Sequence, residues 1–214
     1  MYEFTLWDIA RNLLLAMRWT VALSLIAFAG GGLLGALLVV LRLSGTRFVC
    51  RLIMLYVHVF QGTPLLLQLF LVYFGLSMFG IETTALVAAS ICLTLYASAY
   101  LSEIWRGCVE SIDNGQWEAA SSLALSFWEQ MRYVILPQAL RVGIAPTVGF
   151  MVQVVKATAL TSVIGFVEMT RAGQIITNAT FQPFFVYGSV ALMYFALCFP
   201  LSLYSRRLEH SLRR

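Results

Sequence analysis

The sequence predicts an all-α protein, a polytopic membrane helix bundle of about five transmembrane helices with one long cytoplasmic loop. Three observations carry that expectation. Of 214 residues, 60% are hydrophobic and 11% charged, under half of the roughly 25% charge that a water-facing surface carries. The apolar residues gather into five runs of about twenty or more, the length that crosses the hydrocarbon core as a helix. Basic residues cluster beside the ends of those runs, as they do in membrane proteins. Length alone would admit one or two soluble domains, but composition overrides it. Residues 1–214 therefore read as a single transmembrane domain, with 106–141 as a loop within it.

The first run, 20–41, contains no formal charge. Ala27-Phe28-Ala29 resembles a signal-peptide cleavage site, but the apolar core is too long for one and a more polar segment precedes it. Residues 7–17 read as a separate interfacial amphipathic helix, which would seat Arg11 and Arg18 at the surface. Gly30, Gly31, Gly32 and Gly35 form a close-approach face, with Gly31 and Gly35 at small-xxx-small spacing. That face fits packing within the subunit or across a dimer.

The second run, 52–81, is longer than a span requires, which predicts tilt, a kink or a re-entrant portion. The third is 83–102. The fourth, 142–167, is interrupted only by Lys156, and the fifth is 184–204. Four spans plus a re-entrant segment is the alternative count. Of the 14 Lys and Arg, Arg42, Arg47 and Arg51 lie between spans one and two, and Arg106, Arg132 and Arg141 between three and four. Arg206, Arg207, Arg213 and Arg214 lie in the tail. Only Arg11, Arg18 and Arg171 fall on the other side. Basic loops stay cytoplasmic, so the N-terminus is expected outside and the C-terminus in the cytoplasm.

Local signals in the 106–141 loop are helical. Asp113 with Gln116 fits an N-cap and its N3 partner, and Ser126 with Glu129 is a capping box. Two short helices are expected, at 115–124 and 127–136, with Pro137 ending or kinking the second. The first presents Ala119, Ala120, Ser121, Ser122 and Ala124, small side chains that let another backbone come close. Composition alone leaves a helix tucked under the bundle and a docking site equally open.

A resemblance separates those readings. Glu118-Ala119-Ala120, continuing to Ile135-Leu136-Pro137, resembles the EAA signature of ABC importer permeases. The flanking text is similar to the polar-amino-acid branch of that family. Gly62-Thr63-Pro64-Leu65-Leu66 with Tyr73-Phe74-Gly75 matches its second span. Ala99-Tyr100, Glu103-Ile104 and Arg106-Gly107 match the approach to the loop. Ser111-Ile112, Gly115-Gln116 and Leu136-Pro137-Gln138-Ala139 with Arg141 match the loop itself. Lys156, Thr158-Ala159-Leu160, Val163-Ile164-Gly165 and Glu168 resemble the fourth-span block. The matches run in order over residues 61–168.

Three positions depart from the pattern. Gln61 stands where the family has Arg, and Ala157 and Ala159 soften the usual Lys-Asp-Thr-Ser-Leu. Ala124 replaces the Gly that separates two coupling helices. A left-handed Ala costs about 1–2 kcal/mol, so either a remodelled turn or a first helix running on to Ser126 is expected.

The resemblance implies a permease subunit that moves polar amino acids inward by alternating access, driven by a cytoplasmic ABC ATPase dimer. Gly115, Gln116, Glu118, Ala119, Ala120, Ser122, Leu123 and Ala124 would seat against that ATPase. A second permease subunit and an extracytoplasmic amino-acid-binding protein are the other implied partners, beside membrane lipid. Substrate choice would rest largely with the binding protein. No nucleic acid, cofactor or metal is expected.

Other chemistries find little support. There is no Gly-x-x-x-x-Gly-Lys-Ser/Thr loop to cradle phosphates and no His-Glu-x-x-His, so no catalytic residue is expected and ATP hydrolysis belongs on a separate subunit. Cys50, Cys92, Cys108 and Cys198 lie far apart without a metal-ligand spacing, and read as buried inert thiols. A gradient-driven transporter would need an acid well inside a span, and none is found; a non-transporting scaffold is the other alternative.

Ionisable groups within a span are costly and so are functional candidates. Lys156 fits a place on the translocation pathway or an ion pair with Glu103 or Glu168. Glu168 reads as a solvated outer span end, with the pathway as its functional alternative. Thr63, Gln68, Gln153 and Thr158 are pathway candidates, with interhelix hydrogen bonding as the plainer role. His58, on an apolar helix, reads as a packing residue.

Overall fold

The computed structural model describes residues 5–212, with side chains to residue 209. Nine α-helices follow one another among these residues, joined in two places by tighter or wider helical turns. Four helical stretches are long and apolar enough to cross a membrane, and a bent pair supplies a fifth crossing if counted as one span.

Helix α1 (Leu6–Ser44) is capped by Thr5, whose hydroxyl accepts from the Asp8 N–H while Asp8 reaches back to the Thr5 N–H. Its 39 residues extend about 58 Å at 1.5 Å per residue, far more than a hydrocarbon core of about 30 Å. Residues 7–17 are therefore not a separate interfacial helix. They are the first turns of α1, held in line because Ile9, Leu13 and Ala16 pack on Met169 and Ile176 of a later helix.

Helices α2 (Arg47–Gly62) and α3 (Leu65–Met78) take up the over-long second run and meet at 104°. Pro64 cannot donate to the preceding turn, and the residue before it is driven out of the helical region; Thr63 is extended, at φ −117° and ψ 145°. Helix α4 (Ala85–Glu110) starts at a Thr84 cap, one residue past the expected start of its run. It runs beyond the membrane-length segment into the loop.

Helices α1 and α4 approach most closely at the glycine face. A Cβ on Gly31 would lie 2.5 Å from the Ala97 Cβ, and one on Gly35 would lie 3.2 Å from the Ser98 carbonyl oxygen. The face is thus consumed within the subunit, where close backbone approach replaces the hydrophobic drive that lipid cannot provide.

After α5 (Asn114–Ser122) and the single turn α6 (Phe127–Glu129), residues Gln130–Ile135 form a π-helix that runs without a break into α7 (Leu136–Ala157). Pro137 does not end a helix. It sits at the start of α7 directly after the π-helix, within one continuous helical run. A 3-10 helix (Thr158–Ile164) extends α7 to Gly165, at φ 86°. Helix α8 (Met169–Thr180) then packs beside α1, and α9 (Pro183–Leu212) returns along α7. The central core joins Leu23, Leu69, Leu93, Leu101, Phe150 and Val154 from four helices.

Candidate coupling hairpin and membrane-embedded polar sites

Helix α5 begins where Asp113 Oδ1 accepts the Gly115 N–H at 2.7 Å. Gln116 does not complete that cap; its side-chain oxygen instead accepts from Gln138 Nε2 at 3.2 Å, linking α5 to α7. Helix α5 ends through paired turns, with Ala124 N–H donating to Ser121 O at 2.9 Å and Leu125 N–H to Ala120 O at 3.4 Å. This is the Schellman pattern, which requires a left-handed residue at its centre. Ala124 fills that place at φ 56°. The turn is therefore neither remodelled nor replaced by a longer helix: Ala carries the conformation expected of Gly.

Two further contacts hold the turn. Gln130 Nε2 donates to Leu125 O at 2.7 Å and to the Ser121 hydroxyl at 3.2 Å. The Glu129 carboxylate accepts from both the hydroxyl and the N–H of Ser126, at 2.6 and 2.8 Å, and these bonds hold it below the usual carboxylate range. The hairpin rests on the bundle through Val109, Ile112, Met131, Ile135 and Ala139.

Of the residues expected to meet a partner, Gly115, Gln116, Glu118, Ala119, Ser122, Leu123 and Ala124 are exposed. Ala120 faces inward at 2% exposure, so its small side chain serves the packing of α5 on its own subunit. Leu123 is 74% exposed, and Trp128 and Tyr133 are exposed as well. Sequence reasoning did not single out Trp128 or Tyr133, although two large aromatic residues in a loop beside a small-sided helix were the available signal.

At the C-terminal ends of α1 and α4, Glu103 pairs with Arg42 and, at 2.7 Å, with Arg106, which also reaches Glu110. Glu103 is thereby occupied. Lys156 is exposed, and no described carboxylate forms an ion pair with it, so the expected pairing with Glu103 or Glu168 is absent.

Glu168 is not a solvated span end. It is fully buried and caps α8, accepting the N–H groups of Thr170 and Arg171 at 2.9 and 2.8 Å and the Tyr194 hydroxyl at 2.7 Å. Thr158 is also fully buried, and its hydroxyl donates to Val155 O at 2.8 Å. Gln153 is exposed on the same helix as Lys156.

Thr63 and Gln68 come together at the α2–α3 elbow. Gln68 Nε2 donates to Phe60 O, Thr63 O and the Thr63 hydroxyl at 2.9, 3.1 and 2.8 Å. His58 is exposed rather than packed. Cys92, Cys108 and Cys198 are buried free thiols as expected, whereas Cys50 is half-buried. No group of three metal-ligating side chains occurs among the described residues.

The family model described as "binding-protein-dependent transport system inner membrane component" matches residues 30–214. The chain belongs to that family. It is 34% identical to the glutamine transport system permease protein GlnP of Escherichia coli, over 97% of this chain and 96% of that one. It is 35% identical to the probable amino-acid ABC transporter permease protein YckA of Bacillus subtilis, over 89% and 84%. Among solved structures, an amino acid ABC transporter crystallised with histidines superposes at a TM-score of 0.90. That chain is 33% identical, with 97% of this chain and 99% of that chain covered. An inward facing MetNI methionine ABC transporter, at 19% identity and a TM-score of 0.80, shares the fold. The permease fold thus accounts for the bent second span, the hairpin and the long first helix together.

Proposed function

We propose that this chain is the transmembrane permease subunit of an ABC importer that carries polar amino acids into the cytoplasm, with ATP hydrolysed on separate subunits. The α5–α6 hairpin supports this reading best. Its exposed face combines small residues, the protruding Leu123, and a Glu118 carboxylate that has no partner within the described chain. Such a face suits a docking helix. The relatives, a glutamine permease and a probable amino-acid permease, support the substrate class.

In this reading the hairpin and the C-terminus face the cytoplasm and the N-terminus the outside, which the excess of basic residues in those segments supports. ATP-driven closure of a partner ATPase dimer pushes the hairpin, and the π-helix transmits the displacement into α7 because it joins the two without a break. A loaded binding protein outside favours the outward state by binding that state better. A second permease, identical or a sister, completes the pathway that five spans cannot enclose.

Glu118→Lys tests the reading. Reversing a charge at the docking face costs about 2 kcal/mol or more, so co-purification with the ATPase and uptake into proteoliposomes should both fall while the permease itself inserts normally. Wild-type ATPase binding by the variant would overturn the coupling role.

A further inference from the structure

We propose that the cavity between the N-terminal turns of α1 and helix α8 binds the headgroup of an anionic phospholipid, with Arg18 on its phosphate. Such a site is independent of the solute carried.

Depth follows from the sequence. Residues 20–41 carry no formal charge, so Arg18 is the first charge met on leaving the hydrocarbon at that end of α1. Trp19 beside it is of the type that gathers at membrane–water interfaces. The pair therefore stands at the level of the lipid phosphates. An arginine here also runs against the rest of the chain, whose basic groups gather at the other ends of the spans. Its charge calls for an account other than orientation.

Arg18 has a cavity beside it but no partner. The cavity holds about 330 Å³, with Leu15, Trp19, Val167, Ile175 and Ile176 in its apolar walls and Asn12 and Arg18 as its polar lining. The guanidinium lies over the Trp19 ring, 5.8 Å from its centroid, and Phe166 meets that ring edge-on at 6.2 Å. Among the described residues Arg18 makes no ion pair and no hydrogen bond. Its N–H fork matches the oxygens of a phosphate. Water would satisfy a bare surface arginine, but it does not favour the apolar walls beside this one.

Those walls separate a lipid from a free anion. Val167 and Ile175 are exposed, and Leu15 and Trp19 continue along α1 with Ile26 and Leu33, exposed as well. Residues at this helical spacing share one face, and it leads from the cavity into the hydrocarbon. An acyl chain can lie on that face while its phosphate stays at Arg18.

The polar groups set the kind of headgroup. No carboxylate lines the cavity. Asp8 is tied to Thr5, and Glu168 is buried with its hydrogen bonds made. The cation of an ethanolamine or choline headgroup finds no counter-ion there. Asn12 Nδ2 donates to Asp8 O at 2.8 Å, which leaves the amide oxygen to accept from a headgroup hydroxyl. Phosphatidylglycerol, a phosphate diester with a free diol, suits both residues.

The test uses the purified full-length permease, titrated in detergent with phosphatidylglycerol or phosphatidylcholine, with bound lipid counted by native mass spectrometry. Wild type should retain phosphatidylglycerol at concentrations about tenfold or more below those phosphatidylcholine needs, the scale of a charged hydrogen bond. Arg18→Gln should lose that preference and Arg18→Lys should keep part of it. Ala179→Phe, which fills the cavity and alters no charge, should lose the bound lipid too. Arg11→Gln, outside the cavity, should weaken binding by about fivefold at most, the size of general attraction per basic residue.

A loss in Arg11→Gln as large as in Arg18→Gln would mean diffuse attraction and overturns the site. Equal competition by glycerol phosphate would mean a free-anion site and overturns the lipid. A wild type without preference between the two lipids overturns the proposal. So does an Arg18→Gln variant that keeps its lipid but loses stimulation by an extracytoplasmic binding protein, because the surface then serves that protein. Should Arg18→Gln fail to assemble, Ala179→Phe decides.

Discussion

Glu168 does at the level of one side chain what a disulfide does elsewhere: it ties α8 to α9 and fixes the entry to α8. Its carboxylate accepts three hydrogen bonds and exposes no surface, and beside it the Met169 N–H donates to the Thr20 hydroxyl of α1 at 3.2 Å. Each buried donor left unpaired costs about 1–3 kcal/mol. Glu168→Ala should therefore destabilise the permease by about 3 kcal/mol or more, read as a lower unfolding midpoint in nanodiscs; a midpoint within error of wild type would show that water satisfies the same donors. Lys156 and Glu168 were both legible as anomalies, because an ionisable group among apolar neighbours stands out in any sequence. Their partners were not, since the N–H groups that Glu168 accepts from exist only once α8 has formed. Gln68 was legible as polar, but its role at the elbow depends on a bend whose sharpness the sequence does not state.

Among the elements, the α5–α6 hairpin shows how local rules survive in a membrane protein. The Ser126–Glu129 box was readable because both partners lie within one turn. The conflict at Ala124 was readable because left-handed Ala is costly, about 1–2 kcal/mol. What was hidden is how the cost is met: the Schellman bonds and the Gln130 clamp hold the turn in place. Ala124→Gly relieves the strain and should stabilise the hairpin by about 1 kcal/mol, seen as slower amide exchange at residues 120–126 with ATPase binding retained. Faster exchange would mean that the clamp, not the turn residue, sets the geometry. The π-helix and α8 were hidden for different reasons. A π segment has nearly the same apolar pattern as an α-helix, and α8 is a short amphipathic stretch between two spans with nothing in composition to separate it from loop.

For the whole molecule, the decisive quantity is what the isolated chain leaves uncovered at membrane depth. Gln153 and Lys156 are exposed on α7, and residues 61–64 are exposed at the elbow. A lysine facing lipid at the centre of a span costs about 2.5–3.5 kcal/mol even on the lenient insertion scale, and broken backbone there is not tolerated at all. Such surfaces suit a cover of protein or water rather than lipid, whereas the outer face of α9, with Leu192 and Phe195 at 71% and 60% exposure, suits lipid. In a background with Cys50, Cys92, Cys108 and Cys198 replaced by serine, Lys156→Cys should react with a charged, membrane-impermeant thiol reagent, and ATP should change its rate as the pathway opens and closes. Phe195→Cys should react only with a lipid-soluble maleimide. If Lys156→Cys shows the lipid-facing pattern in every nucleotide state, this face of α7 lies outside the pathway.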